Sequence, residues 1–110
     1  MKLIVSVVRA HKMDAVKQAL RHVRALAFTS SELRDHTPQR FDSTVWRGHE
    51  YCVGFSPKVE IKVVADDDDV DEIVGVILRS ARTGEVGDGF VSVVPVEHRY
   101  RIHDGKRDVA

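Results

Sequence analysis

The stretch "RTGEVGDG", Arg82 to Gly89, places glycines at 84, 87 and 89. Glycine leaves the backbone bare, and a concave cluster of bare backbone amides binds anions, phosphate above all. Gly84 can be explained as the cap that ends a preceding helix. Gly87 and Gly89 are left over, flanking Asp88, and they run directly into an apolar segment. The stretch is neither the Walker A loop nor the dinucleotide fingerprint, since both of those open a helix and this one opens a strand. Lys58, Arg99 and Arg101 are cations that could stand beside it, although each would serve equally well as solvated surface.

Other chemistry is sparse. Asp66 to Asp69 form an acidic run, but a calcium loop requires alternating ligands, a central glycine and a distal glutamate, and these are missing. The run is better suited to the start of a helix, where carboxylates complement the dipole and cap free N–H groups. His11, His36, His49, His98 and His103 lack the spacing of a zinc site. Cys52 is the only cysteine, which excludes an internal disulfide and reads as a small apolar side chain. No Ser/His/Asp order or catalytic carboxylate pair can be traced, so the expectation is a binding protein rather than an enzyme.

With 17 basic and 17 acidic residues the formal charge is zero, which argues against a generic nucleic-acid or membrane-surface binder. The apolar run Leu3 to Val8 is too short for a signal-peptide core or a membrane span. A cytoplasmic location is expected. The 110 residues read as one domain, 1–110, small enough to benefit from burying more surface by association.

The elements that position these residues follow from periodicity. Leu3 to Val8 suits a strand paired centrally in a sheet. Met13, Val16, Leu20 and Val23 recur at helical spacing from Lys12 onward, and Ala25 to Arg34 returns to strand character. The loop from about 36 to 57 contains Pro38, Gly48, Gly54 and Pro57 together with Phe41, Trp46 and Tyr51, a composition expected of an interaction loop. "KVEIKVVA", Lys58 to Ala65, alternates strictly, with Val59, Ile61 and Val63 inward and Lys58, Glu60 and Lys62 outward. Val70, Ile73, Val74, Ile77, Leu78 and Ala81 mark a second helix. The glycine loop of about 82–90 follows, then a strand, "FVSVVPVE", with Pro95 at its end or on an edge. A basic-aromatic tail spans about 98–110. The order predicts an α+β, ferredoxin-like βαββαβ fold, with the long loop between strands 2 and 3 and both helices on one face of a mainly antiparallel sheet.

Three segments then resemble one family at its own spacing. "WRGHEYCVGFSPKVEIKVV" (Trp46 to Val64), "ARTGEVGDGFVSVVPVE" (Ala81 to Glu97) and "RIHDG" are similar to the exposed loop and following strand, the glycine loop and fourth strand, and the C-terminal motif of the PII nitrogen-regulatory signal proteins. The resemblance implies a compact homotrimer that holds an adenine nucleotide in each cleft between subunits and acts on a target membrane transporter or metabolic enzyme through its long loops. It implies that Gly87, Asp88 and Gly89 lie against the phosphates, that Thr29 and Val64 lie near the adenine, and that Arg101 reaches the phosphates from a neighbouring subunit. Gln39 and Lys58 match the residues that hold ATP-bound Mg2+ and 2-oxoglutarate. Trp46, Arg47 and Tyr51 fall in the partner-contacting loop, and Tyr51 matches a tyrosine that some members carry uridylylated.

The sequence also departs from that pattern. Thr37 and Pro38 precede Gln39 where a flexible or basic approach is usual, Phe90 stands in place of a lysine, and His103 in place of an arginine. Hydrogen bonds to charged groups contribute roughly 1.5–3 kcal/mol each, so two lost cations would weaken triphosphate binding by powers of ten unless Arg40, Arg99 or His103 substitutes. ADP or AMP would lose less. The expectation is a divergent PII-like regulator that binds ADP or AMP at least as well as ATP. The alternatives are a sensor of another small anion, such as bicarbonate, and a slow ATPase using the same cleft.

Overall fold

The computed structural model describes residues 1–23, 27–34, 45–46, 49–50 and 57–108. Its elements are β1 (Lys2–Arg9), α1 (Met13–Leu20), β2 (Ala27–Arg34), β3 (Val45–Trp46), β4 (His49–Glu50), β5 (Pro57–Ala65), α2 (Val70–Ala81) and β6 (Gly89–Pro95). The main sheet has the order β2-β5-β1-β6, and every neighbouring pair is antiparallel. This is the ferredoxin-like arrangement expected from the order of elements. The continuous apolar character of β1 follows from its central place between β5 and β6.

Register separates the sheet's two faces. Ile4, Ser6 and Val8 oppose Val63, Ile61 and Val59, and all six are buried. With Val16 and Leu20 of α1 and Ile73, Ile77 and Ala81 of α2 they form the core, in which each fully buried aliphatic side chain contributes about 1.5–3 kcal/mol. Ser6 is tolerated there because its hydroxyl donates to the Ile61 carbonyl at 3.3 Å. By alternation the opposite face carries Leu3, Val5, Val7, Glu60, Lys62 and Val64. Its cross-strand continuations are Thr29 on β2 and Phe90, Ser92 and Val94 on β6.

Several expectations are corrected in detail. The segment Ala10–Lys12 is a 3-10 turn, so α1 begins at Met13. Asp67–Asp69 likewise form a 3-10 turn, and neither Asp66 nor Asp69 makes a side-chain cap hydrogen bond. Asp67 instead accepts from the Met1 ammonium at 2.7 Å and faces Lys2 at 3.6 Å. The acids still precede the positive end of α2, but cations at the start of the central strand β1 take the carboxylate expected to cap. Gly84 is not the helix cap either. Arg82 ends α2 in extended conformation, and Gly84 lies beyond it at φ +90°.

Lys58 was expected to point outward and is only 1% exposed. It stands at the start of β5, where the glycine loop covers it. The tail is also more ordered than its composition suggests. Tyr100 and Arg107 bridge in antiparallel fashion, closing a hairpin whose turn contains Gly105. The long loop contributes the short pair β3 and β4, with Val45 opposite Glu50 and Trp46 opposite His49. Gln39, Arg47 and Tyr51 lie outside the described residues.

Candidate functional site

The glycine loop links the end of α2 to the edge strand β6. Gly87 and Gly89 adopt φ +101° and +108°, values that disfavour any residue with a Cβ. At Gly89 the reason is also steric, since a Cβ there would lie 1.7 Å from the Val7 carbonyl oxygen. Gly89 is therefore bare because β6 must pass close to β1, a cause internal to the sheet. Gly87 carries no such strand contact in the register and belongs to the loop proper.

Asp88 organises the turn. Its carboxylate accepts from the Thr83 and Gly84 backbone N–H groups at 2.9 and 3.0 Å, from the Thr83 hydroxyl, and from Arg9 Nε at 2.9 Å. The Thr83 hydroxyl, then the Arg9 guanidinium and the Thr83 amide, hold this carboxyl well below the usual carboxylate range. The Glu85 N–H turns to the Thr83 hydroxyl oxygen at 3.2 Å. The amides of residues 83 to 85 are thus engaged by the chain itself.

The next two peptides are oriented differently. Arg9 Nη2 donates to the Val86 carbonyl at 3.1 Å, and Lys58 Nζ donates to the Gly87 carbonyl. Arg9 and Lys58 are register partners at the shared end of β1 and β5, so the sheet presents two cations side by side to adjacent carbonyls. No described peptide is cis. In a trans peptide the N–H points opposite to the C=O, so the N–H groups of Gly87 and Asp88 face away from Arg9 and Lys58. Two neighbouring amides aimed the same way, in a segment with little side chain, are the elements of an anion-binding nest. Beside the loop, a groove of about 390 Å³ between α2 and β6 is lined by Ile77, Leu78, Arg79, Asp88 and Phe90 among others.

The remaining sequence-identified residues divide into three groups. Thr29 is exposed on β2 and Val64 half-buried on β5. Thr29 opposes Lys62, and Val64 opposes Ala27, so Thr29 and Val64 are diagonal neighbours on the open face. Arg101 lies in the C-terminal hairpin, where its partners among the described residues are Asp104 and Asp108, at 3.0 and 3.1 Å. Gln39, Arg47 and Tyr51 are not described, and of Trp46 only the backbone pairing with His49 is. Arg9 was missed by the sequence reading. The signal for it was topological: an antiparallel β1–β5 ladder that starts from Lys58 ends opposite Arg9.

No helix among the described residues is long and apolar enough to cross a membrane. Comparison with known proteins matches residues 1–106 to the family described as Nitrogen regulatory protein P-II. The chain is 39% identical over 108 residues to a Nitrogen regulatory protein P-II from Nostoc punctiforme, covering 98% of this chain and 96% of that one. It is also 39% identical over 110 residues to Nitrogen regulatory protein P-II 1 from Escherichia coli, covering 100% and 98%. These matches run through both helices, the four main strands, the glycine loop and the tail hairpin, and the chain belongs to the P-II family of nitrogen regulatory signal proteins.

Proposed function

We propose that this protein is a regulatory signal protein of the cytoplasm that binds an adenine nucleotide in clefts between the subunits of a homotrimer, and that it controls a target transporter or enzyme through the loop at 36–57. The observation that carries this reading is the pair of outward-turned amides at Gly87 and Asp88, fixed by Arg9 and Lys58 through the carbonyls of Val86 and Gly87. Backbone N–H donors of this kind suit a phosphate group, and family membership makes the phosphate that of a nucleotide. Gly87, Asp88 and Gly89 would lie along the phosphates, with the Asp88 carboxylate shaping the loop and its backbone N–H facing the ligand. Thr29 and Val64 would flank the base, and Arg101 would come from the adjoining subunit.

Assembly is supported by the distribution of exposed apolar side chains. Val86, Phe90, Val93, Val94, Tyr100 and Ile102 are all at least 43% exposed, and all lie on the glycine loop, β6 and the tail. A chain this small rarely leaves so continuous an apolar edge to water, and further copies of itself would cover it. Lys58 and Gln39 would receive the effector, 2-oxoglutarate beside ATP-bound Mg2+. Phe90 and His103 remove two cations from the phosphate site, which favours ADP or AMP at least as much as ATP.

Calorimetric titration with ATP, ADP and AMP, each with and without Mg2+ and 2-oxoglutarate, tests this reading. ADP or AMP binding at least as tight as ATP is the expected result. Much tighter ATP binding would overturn the preference, and absence of heat with all three nucleotides would overturn nucleotide binding itself.

A further inference from the structure

The C-terminal hairpin neutralises the cation that the nucleotide reading assigns to phosphate. It is closed by backbone bonds from Arg101 N–H to the Lys106 carbonyl at 2.9 Å, from Gly105 N–H to the Arg101 carbonyl at 2.8 Å, and from Asp108 N–H to the Arg99 carbonyl at 2.7 Å. Within this frame the Arg101 guanidinium is engaged on two sides. Nη2 and Nε meet Asp104 Oδ2 at 3.0 and 3.3 Å, and Nη1 meets Asp108 Oδ1 at 3.1 Å. Arg99 Nη1 takes the second Asp108 oxygen at 3.0 Å. Two arginines and two aspartates cancel.

The Nε/Nη2 edge is one of the faces on which a guanidinium receives phosphate with two parallel hydrogen bonds. Asp104 occupies it and is held there from behind, because its Oδ1 accepts the Lys106 N–H at 2.9 Å. The pair is partly open to water, with Arg101 44% and Asp104 28% exposed, so a competing anion has access. A displaced Asp104 remains close by and negative, and it repels an incoming phosphate in proportion to that phosphate's charge.

We propose that Asp104 is a specificity-determining residue: it occupies the bidentate edge of Arg101, so that a nucleotide gains this arginine only by displacing a carboxylate, at a cost that rises from AMP to ADP to ATP. This rests on the adenine-nucleotide reading above. It adds a second cause for weak triphosphate binding, one that lies in an added anion rather than in a missing cation.

The test is calorimetry with AMP, ADP and ATP on the unsubstituted protein and on Asp104→Asn, Asp104→Ser and Arg101→Met. Asn and Ser both keep an acceptor for the Lys106 N–H, so two independent variants retain the turn. Both are expected to tighten ATP binding about tenfold at moderate salt, ADP less and AMP least, and Arg101→Met is expected to weaken all three. Equal gains for the three nucleotides, or no gain in either Asp104 variant, would overturn the inference while nucleotide binding stands. An Arg101→Met protein that binds as the unsubstituted one does would overturn it as well, by removing Arg101 from the site. If neither the unsubstituted protein nor the Asp104 variants bind any nucleotide, the nucleotide reading is what fails.

Discussion

Arg9 and Lys58 face one another across the β1–β5 ladder, and each donates to one of two consecutive carbonyls of the glycine loop, Arg9 to Val86 and Lys58 to Gly87. Arg9 also reaches Asp88 at 2.9 Å, so one guanidinium holds both the loop's backbone and its organising carboxylate. Arg9→Met removes both bonds without touching the core. Amide exchange at Thr83 and Gly84, whose N–H groups depend on Asp88 being in place, is expected to quicken by roughly tenfold while exchange in β1 and β5 is unchanged. Arg9→Lys should rescue only in part, because an ammonium lacks the fork that spans two acceptors. Hydrogen exchange followed by mass spectrometry measures this, and unaltered exchange in the methionine variant would show that Arg9 does not hold the loop.

The glycines of the loop differ in what they tolerate. Gly89→Ala forces a Cβ onto the Val7 carbonyl at φ +108°, and is expected to destabilise the protein by at least about 3 kcal/mol, a fall in melting temperature of about 10 °C or more. Gly84→Ala meets open space at φ +90°, so only the backbone preference is lost, about 1 kcal/mol. Paired thermal melts compare the two. Gly87 is also left-handed, at φ +101°, so Gly87→Val would strain the backbone whatever its effect on a ligand.

Acid should unlock the loop. The Asp88 carboxyl lies below its ordinary 3.8 in the folded state, so its stabilisation is fully present above that value, declines as pH falls through it, and is gone once the folded value is passed. Asp67, held by the Met1 ammonium, and Asp104, held by the Lys106 N–H and Arg101, are lowered in the same direction and act in the same window. Asp88→Asn should therefore lower the melting temperature near neutral pH and flatten its fall below about pH 4. Parallel profiles for the two proteins down to about pH 2 would remove Asp88 as a contributor.

Phe90 is 57% exposed at the start of β6, directly after the glycine loop. Phe90→Lys supplies a cation there without disturbing the core. One added charge-assisted hydrogen bond, roughly 1.5–3 kcal/mol, predicts at least about tenfold tighter ATP binding and a smaller gain for AMP. Calorimetry distinguishes this from a general gain, since an equal improvement for all three nucleotides would place the new ammonium away from the terminal phosphates.

What was legible in the sequence was local. The alternation of Val59, Ile61 and Val63 gave the inward face of β5 because period two is a property of the strand itself, and helical spacing gave Ile73 and Ile77 for the same reason. The glycine loop stood out by composition. Its anchors did not, because Arg9 and Asp88 are 79 residues apart in the chain and are brought together by the pairing of β1 with β6. Lys58 was misread for a related cause: alternation assigns it outward, and only the loop laid over the strand end buries it. The acidic run before α2 was read as caps because local rules favour capping, whereas its Asp67 is engaged by Met1, 66 residues away. Gln39 and Arg47 were identified by resemblance alone, and Tyr51 by resemblance together with the loop's composition.

Among the described residues, Arg9, Lys58, Thr83 and Asp88 supply bonds that shape the glycine loop from within the chain. A site shaped from within gives up little conformational freedom when it is filled. Encounter with the proposed ligand would then require orientation but no refolding, and substitutions that change affinity would act chiefly on residence time. On the nucleotide reading proposed above, timing would follow as well as strength: the persistence of the signal would be set by how slowly the ligand leaves, with the charges around Arg101 and Asp104 governing that departure.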